Sequence, residues 1–353
     1  MTQSRILLCV FPTASQNEWQ LATDALAEAL HLAEPELVQP VRAAPSGWVR
    51  PNDRAPVPAP GPDDIVFLAS VGWEDPAQLP LLEAARYAGA KIVAYVHDIT
   101  PTRRPEWFAP EHTARFTAWI AAILRLSQMV IVPSSATARD LDALRRRLDI
   151  VDYGTKRIRP GDSVLPKASA ASPVAGRFVL ISAPLDVRIG HAGVLSAWRR
   201  LATRLDAGEL PPLVLAGRAG GLTGDLQQRL ARDLPDVVVR LEADAAERSA
   251  LLDACLFSIH PAALEGWGFA VSESLARGKP VFAANSGGLP EAGQRQARYF
   301  DPLDPDDIAR NVERTLRDPQ ELPRWQREIA QRFRPRGWDD MAQDVLVAIS
   351  GLV

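Results

Sequence analysis

Cysteine is scarce: only Cys9 and Cys255 occur in 353 residues, and both sit in short apolar runs. Two such cysteines cannot frame a disulfide scaffold or a metal site. They read as small core side chains in a reducing, cytoplasmic compartment. Long apolar runs are missing too. No stretch approaches the ~20 residues of a spanning helix, so any membrane role is expected to be peripheral. The opening MTQSRILLCVFP has too short an apolar run, and no small-residue cleavage site, for a secretory leader. Charge of one sign is not in excess: 40 basic and 43 acidic residues leave −3. That excludes a nucleic-acid partner held by bulk positive potential. No metal-ligand spacing is present, and no metal or cofactor is expected.

What is present is the ordinary material of globular domains. Apolar residues make up 47% and charged residues 24%, and the length suits two domains. ILLCV, DIVFLA, AKIVAYV and QMVIVP read as buried parallel strands in the first half, and FVLIS, PLVLAG, DVVVRL, LFSIHP and PVFAA in the second. Between them run helical patterns such as EWQLATDALAEALHL, EHTARFTAWIAAILRL, SATARDLDALRRRL, AGVLSAWRRLATRL and DLQQRLARDL. Strand–helix alternation twice over predicts two doubly wound, Rossmann-like α/β domains. Residues 40–62 hold seven of the 30 prolines and read as a loop inside the first domain. Residues 159–176 are small, polar and proline-containing and read as the interdomain linker. The expected domains are 1–166 and 174–335, with a C-terminal helix in 336–353 packing back on the first.

The densest signal is EGWGFAVSESLARGKPVFAANSGGLPE, from Glu265 to Glu291, in which seven residues separate Glu265 from Glu273. The strand ACLFSI ends at His260-Pro261, so ALEGWG is a loop at a strand's carboxyl end and FAVSESLARG the helix after it. Ligands bind there in open α/β sheets. First-turn amides near Gly268, Phe269 and Ala270 lack helical partners and suit an anion such as phosphate. Gly266 and Gly268 permit close backbone approach. A carboxylate on each side of such amides suits a sugar–diphosphate–nucleoside. Taken as an isolated pair, Glu273 reads first as a group complementing the helix dipole and Glu265 as a solvated loop residue; the surrounding pattern changes that reading.

These residues resemble the family 4 glycosyltransferases of the GT-B fold, whose signature is the two spaced glutamates, a small apolar helix, G-K/T-P-V and G-G-x-P-E. The EGWG form and YFDPLDPDDIA resemble the bacterial polysaccharide mannosyl- and rhamnosyltransferases of that family. VHDITPTRRPEWF and IVPSSATARDL extend the resemblance into the first half. It implies two domains facing a central cleft and a retaining, metal-independent transfer of a hexose of mannose or rhamnose type. The donor would be a nucleotide-diphosphate sugar, GDP-mannose favoured, and the acceptor a glycan or lipid-linked glycan. By position, Glu265 would bind donor-sugar hydroxyls, and the backbone of Gly266, Trp267, Gly268 and Phe269 the sugar and phosphate. Glu273 would bind the ribose, and the Arg240–Glu242 stretch, Leu241 included, would lie near the base. His97, in HD at a strand end, would face the reacting sugar, with Asp98 either orienting its ring or capping the turn.

Two departures stand out. The family's usual lysine after the first strand of the second domain is Ile189 here, in PLDVRIGHAGVLSAW, which leaves Arg188 or Arg218 to meet the diphosphate. The glycine-rich loop usual after the first strand is FPTASQNEWQ, without a glycine. Two alternatives therefore stay open beside an active transferase: a catalytically weak GT-B module that binds a partner enzyme or glycan, and a GT-B nucleotide-sugar epimerase. FTAWIAAILRL, with Phe116, Trp119, Ile120, Arg115 and Arg125, and the nearby Arg145-Arg146-Arg147, also has two readings. One is a core stripe with a solvated basic face. The other is a basic amphipathic face resting on anionic lipid at the inner side of a membrane.

Overall fold

A computed structural model describes residues 5–10, 18–69, 72–206, 208–218 and 237–352, with backbone only at Val187, Arg240 and Leu241. The helical pattern DLQQRLARDL and the FPTASQN part of the glycine-free FPTASQNEWQ loop lie outside these residues. The chain divides into two compact units. One comprises Met1–Gly161 with Arg336–Val353, and the other Asp162–Pro335.

The first unit holds a seven-stranded sheet. Its strands are β1 (Ile6–Cys9), β2 (Val38–Ala44), β3 (Gly47–Val49), β4 (Ile65–Leu68), β5 (Lys91–Tyr95), β6 (Met129–Val132) and β7 (Thr155–Arg157). They lie in the order β3-β2-β1-β4-β5-β6-β7, all parallel except the β2–β3 pair. Helices cover both faces: α1 (Glu18–Ala33), α2 (Gln78–Tyr87), the short α3 (Thr100–Arg103), α4 (Pro110–Leu126) and α5 (Ser135–Leu148). This double cover explains the uninterrupted apolar strands. Leu7, Val66, Ile92 and Val130 enter one core with α2, α4 and α5. Their neighbours Leu8, Phe67, Val93 and Ile131 enter the other, with α1.

Two expectations are corrected here. Residues 40–62 are not wholly loop, because β2 and β3 form a hairpin around Pro45-Ser46. Pro40 is tolerated in β2 because Val41 O accepts from Val10 N on the β1 side. The ring nitrogen of Pro40 then faces the other way, before Arg42, the first residue paired to β3; no ladder bond is lost there. The lipid-facing reading of α4 fails for its apolar residues. Phe116, Trp119 and Ile120 are core residues of the first unit, and Trp119 Nε1 donates to Gln78 Oε1 at 2.6 Å. A sheet face needs that stripe for its own cover. Arg145 is buried as well and bonds Thr155 and Asp152, so the arginine triplet is not one solvated basic face. No helix of the described residues is long and apolar enough to cross a membrane.

The second unit holds a parallel six-stranded sheet, β8 (Val179–Ser182), β9 (Leu213–Gly217), β10 (Val237–Leu241), β11 (Phe257–His260), β12 (Val281–Ala284) and β13 (Arg298–Phe300), ordered β10-β9-β8-β11-β12-β13. Its helices are α6 (His191–Ala202), α7 (Ala245–Ala254), α8 (Phe269–Ala276), α9 (Leu289–Gly293), α10 (Pro305–Arg317) and α11 (Glu321–Arg332). The chain winds outward from β8 in one direction, then returns to start again at β11. That makes β8/β11 the switch point, and the crevice at its carboxyl end is where this topology binds ligands. Residues 162–166 belong with this unit, although the composition of 159–176 suggested a linker beginning earlier. They are held by hydrogen bonds to α8, described below.

The last helix, α12 (Trp338–Ser350), belongs to the first unit. Met341, Ala342, Val345 and Ile349 join the α1 side of its core. We expect Met341→Ala to cost about 2–5 kcal/mol in denaturant unfolding, the usual range for emptying a buried methionine site. A change under about 0.5 kcal/mol, the size of a surface effect, would show that α12 contributes nothing to the core.

Candidate functional site

The switch-point crevice is built from two loops, the one leaving β8 and the one leaving β11. They touch: the Ala263 amide donates to Arg188 O at 3.4 Å, and a Cβ on Gly190 would sit 2.5 Å from Pro261 O. Glu265 lies on the β11 loop. Its carboxylate accepts no hydrogen bond among the described residues and keeps 19% side-chain exposure; the nearest nitrogen partner is His260 Nε2 at 3.6 Å.

The backbone under Glu265 is fixed from below. The Gly288 amide donates to Glu265 O at 2.8 Å. Any Cβ at Gly287 would stand 2.4 Å from the same oxygen, and one at Gly288 would stand 2.3 Å from Gly266 O. Gly287 also has φ +55°, in the left-handed region. The GGLPE segment is therefore the bed on which EGWG lies. Gly268 (φ 103°) starts α8, with Trp267 and Phe269 both buried; Trp267 Nε1 reaches no hydrogen-bond partner.

Glu273 is different from Glu265. Its side chain is 2% exposed, and its oxygens are taken. One accepts from Ser163 Oγ at 3.0 Å and Arg277 Nε at 2.7 Å. The other accepts from the amides of Val164 at 2.7 Å and Leu165 at 3.1 Å. Arg277 also reaches Asp253 and the carbonyls of Leu165 and Pro166. The spaced glutamates thus share a helix and a loop but not a setting, one open toward the crevice and one bound to residues 163–165.

Arg188 forks onto Asp186, with Nε and a terminal nitrogen each 3.0 Å from a carboxylate oxygen. Burial would raise the Asp186 carboxyl, but the Arg188 side chain and amide outweigh it and hold the group below the usual carboxylate range. Arg218 is exposed just past β9. Leu241 ends β10, at the far edge of the sheet from the crevice's β11 side.

His97 lies in the first unit, two residues past β5, and is buried. Its ring meets Trp19 at 4.2 Å and Tyr95 edge-on at 4.6 Å. Burial pushes its pKa down to about 3, so the imidazole is neutral at physiological pH. Asp98 Oδ1 accepts from the Thr100 amide, while His97 Nδ1 has no partner.

Two residues that sequence reasoning passed over stand at the crevice. His260 ends β11 and His191 opens α6, and both are buried with neither ring nitrogen partnered. His191 is pushed down to about 4, chiefly by burial and further by His260, against the raising effect of Asp186. The signal was available: the chain has five histidines, and these two stand in RIGH and HPAALEG.

Residues 167–333 match the model of the glycosyl transferases group 1 family. That match takes in nearly all of the second unit. The chain is 25% identical to the serotype-specific mannosyltransferase WbdA of Escherichia coli, over 68% of this chain and 32% of that protein. It thus spans about a third of the length of its curated relatives. Among solved structures it resembles Anabaena Alr3699/HepE in complex with UDP and glucose, with TM-score 0.66, 19% identity, and 98% and 99% of the two chains covered. Sucrose-phosphate synthase from Thermosynechococcus elongatus gives TM-score 0.65 at 18% identity, covering 99% of each chain. At these identities the likeness establishes the fold, which is GT-B, with two Rossmann-like units.

Two outcomes test this description. Gly287→Ala places a side chain in the left-handed region, at about 1–2 kcal/mol, and drives it against a carbonyl. Thermal melting of the second unit should fall by at least about 2–8 °C; an unchanged melt would contradict the close contact. For His191 the sign is as follows. Its folded pKa is below the unfolded 6.5, so its stabilising contribution is complete above pH 6.5 and is lost as pH falls toward about 4. Melting of a His191→Gln variant should therefore depend less on pH across that window than wild type. Parallel curves would refute the burial effect.

Proposed function

We propose that this chain transfers a hexose of mannose type, with retention, from a nucleotide-diphosphate sugar to a bacterial glycan acceptor. The observation that carries the reading is Glu265. It is a carboxylate with no hydrogen bond among the described residues, at the switch point of the unit that the group 1 model matches, one loop from a helix N-terminus. A largely enclosed carboxylate that accepts no hydrogen bond takes sugar hydroxyls readily. Amides at the start of α8 would face the departing diphosphate, where their fixed dipoles would stabilise developing charge. A WbdA relative described as a mannosyltransferase favours mannose and, with it, GDP-mannose. A fold neighbour solved with UDP and glucose supports the nucleotide-sugar class. Retention follows the family resemblance, with the donor phosphate taking the acceptor's proton.

The roles of the remaining residues follow from the same reading. His97 would bond the donor sugar as a neutral imidazole, and Leu241 would border the base. Glu273 would bind the ribose only by exchanging bonds it makes to residues 163–165. A glycan or lipid-linked glycan would be the acceptor, and the site would work at the cytoplasmic side.

One observation favours a second reading, a GT-B module that binds without efficient turnover. The usual lysine position is Ile189, and the adjacent cation, Arg188, is already forked onto Asp186. A diphosphate left with amides alone in a dry crevice is costly.

The test is Glu265→Gln assayed against a panel led by GDP-mannose, with UDP-glucose included. Loss of a charge-assisted bond to the sugar should lower turnover roughly ten- to a hundredfold, with the fold intact by circular dichroism. Near-wild-type turnover in the folded variant would defeat the assignment. Ile189→Lys should tighten binding of the nucleoside diphosphate. If neither wild type nor this variant turns over any sugar of the panel while both bind, the non-catalytic reading is the better one.

A further inference from the structure

The Glu265 carboxylate needs something to aim it. It rides on a loop, it has no hydrogen bond among the described residues, and a carboxylate free to rotate does not hold a sugar in one pose. The group facing it is the imidazole of His260, whose Nε2 stands 3.6 Å from Glu265 Oε2, with side-chain exposure of 6% and 19% respectively. That distance is a few tenths of an ångström beyond a hydrogen bond, the looseness common at catalytic contacts before a ligand draws them together.

Three observations single out His260. It is the last residue of β11, so its backbone is held by the ladder to β12, where it pairs with Ala283; the ring projects from a rigid element. Both ring nitrogens are buried without a partner, a state that native proteins seldom leave unexplained. The acceptor it faces is a carboxylate, which can take a proton donor but not another acceptor, and this selects the form with hydrogen on Nε2. Other buried, unpartnered polar atoms lie on the same loops and strand ends: Ser182 Oγ at the end of β8, both nitrogens of His191, and Trp267 Nε1. Of these groups, His260 alone is paired with Glu265.

We propose that His260 is a positioning residue. Its Nε2–H donates to Glu265 Oε2 and so aims the second carboxylate oxygen at the donor sugar. The inference rests on the reading of Glu265 as the donor-sugar contact. It assigns His260 no proton transfer and no contact with substrate.

The experiment compares His260→Phe, which keeps a ring but no donor, with His260→Gln, whose amide places an N–H near the lost Nε2. Glu265→Gln serves as the control. GDP-mannose is the sugar probe and GDP the sugar-free probe. The Phe variant should lose roughly ten- to a hundredfold in kcat, with GDP affinity within about twofold of wild type. The Gln variant should recover most of the loss. A Phe variant that keeps wild-type kcat while Glu265→Gln abolishes it overturns the positioning role. Equal loss of GDP affinity also overturns it, since that marks damage to the crevice in general. If Glu265→Gln leaves turnover unchanged, or nothing turns over GDP-mannose, the functional reading has failed, and a ligand-free measurement judges the contact alone. Long-range proton–nitrogen spectra of the histidine rings should show His260 protonated on Nε2, with that signal moving in Glu265→Gln while His191 holds still. A His260 protonated only on Nδ1, or a signal indifferent to Glu265, refutes the proposal.

Discussion

The second unit depends on one close contact, the backbone of Glu265 and Gly266 lying directly on Gly287 and Gly288. The contact leaves no room for a Cβ on either glycine, and it includes the amide bond from Gly288 to Glu265 O. Much follows from it. The loop leaving β11 cannot rise away from the sheet, so Glu265 stays at the switch point. The chain then enters α8 through the left-handed Gly268, which sets where the helix N-terminus points. Glycine is used here for approach distance more than for flexibility. A small-residue pair a strand away from the carboxylate thus decides where that carboxylate can act.

The spaced glutamates show why spacing by itself does not assign a role. Both belong to one loop-and-helix segment, yet the Glu265 carboxylate accepts no hydrogen bond among the described residues and only faces His260 at 3.6 Å, whereas Glu273 is saturated by Ser163, two amides and Arg277. A buried ion pair with every lone pair met is tolerable, and breaking it by removing one partner leaves an uncompensated charge. Glu273 therefore serves the structure whatever ligand it meets, because it ties residues 163–165 to α8. The same bonds account for the position of the unit boundary. Composition marked residues 159–176 as breakable, but a carboxylate 110 residues away from Ser163 anchors the first part of them.

Much of the architecture was legible because parallel strands covered on both faces write themselves as unbroken apolar runs, as Leu7 and Leu8 or Val66 and Phe67 do. The β2–β3 hairpin was not, because proline content stood for loop. Only the hydrogen-bonding direction of Val41 shows that Pro40 forfeits nothing. The α4 stripe was ambiguous for a different reason: an amphipathic helix looks the same whether its apolar face meets a sheet or a lipid surface, and Phe116, Trp119 and Ile120 settle it only by where they lie. At the site, the loop carrying Glu265 was legible from glycines and strand position. His191 and His260 were not weighed, since a lone histidine beside an apolar strand usually reads as core. Their unpartnered nitrogens exist only in three dimensions, as does the fork between Arg188 and Asp186.

The histidines also constrain the chemistry. Burial holds His97 at about 3 and His191 at about 4, far below the value near ambient pH that a general acid or base requires. In neutral conditions both are uncharged hydrogen-bonding groups. Neither carries positive charge, and Arg188, in the loop before His191, is already forked onto Asp186. Under the proposed transfer, charge stabilisation would come from the amides that open α8, and the acceptor's proton would pass to the donor. That is the division of labour expected where the leaving group carries the negative charge and the protein supplies fixed dipoles. On the same proposal the aim of the Glu265 carboxylate, which His260 Nε2 faces at 3.6 Å, is the variable on which sugar placement turns.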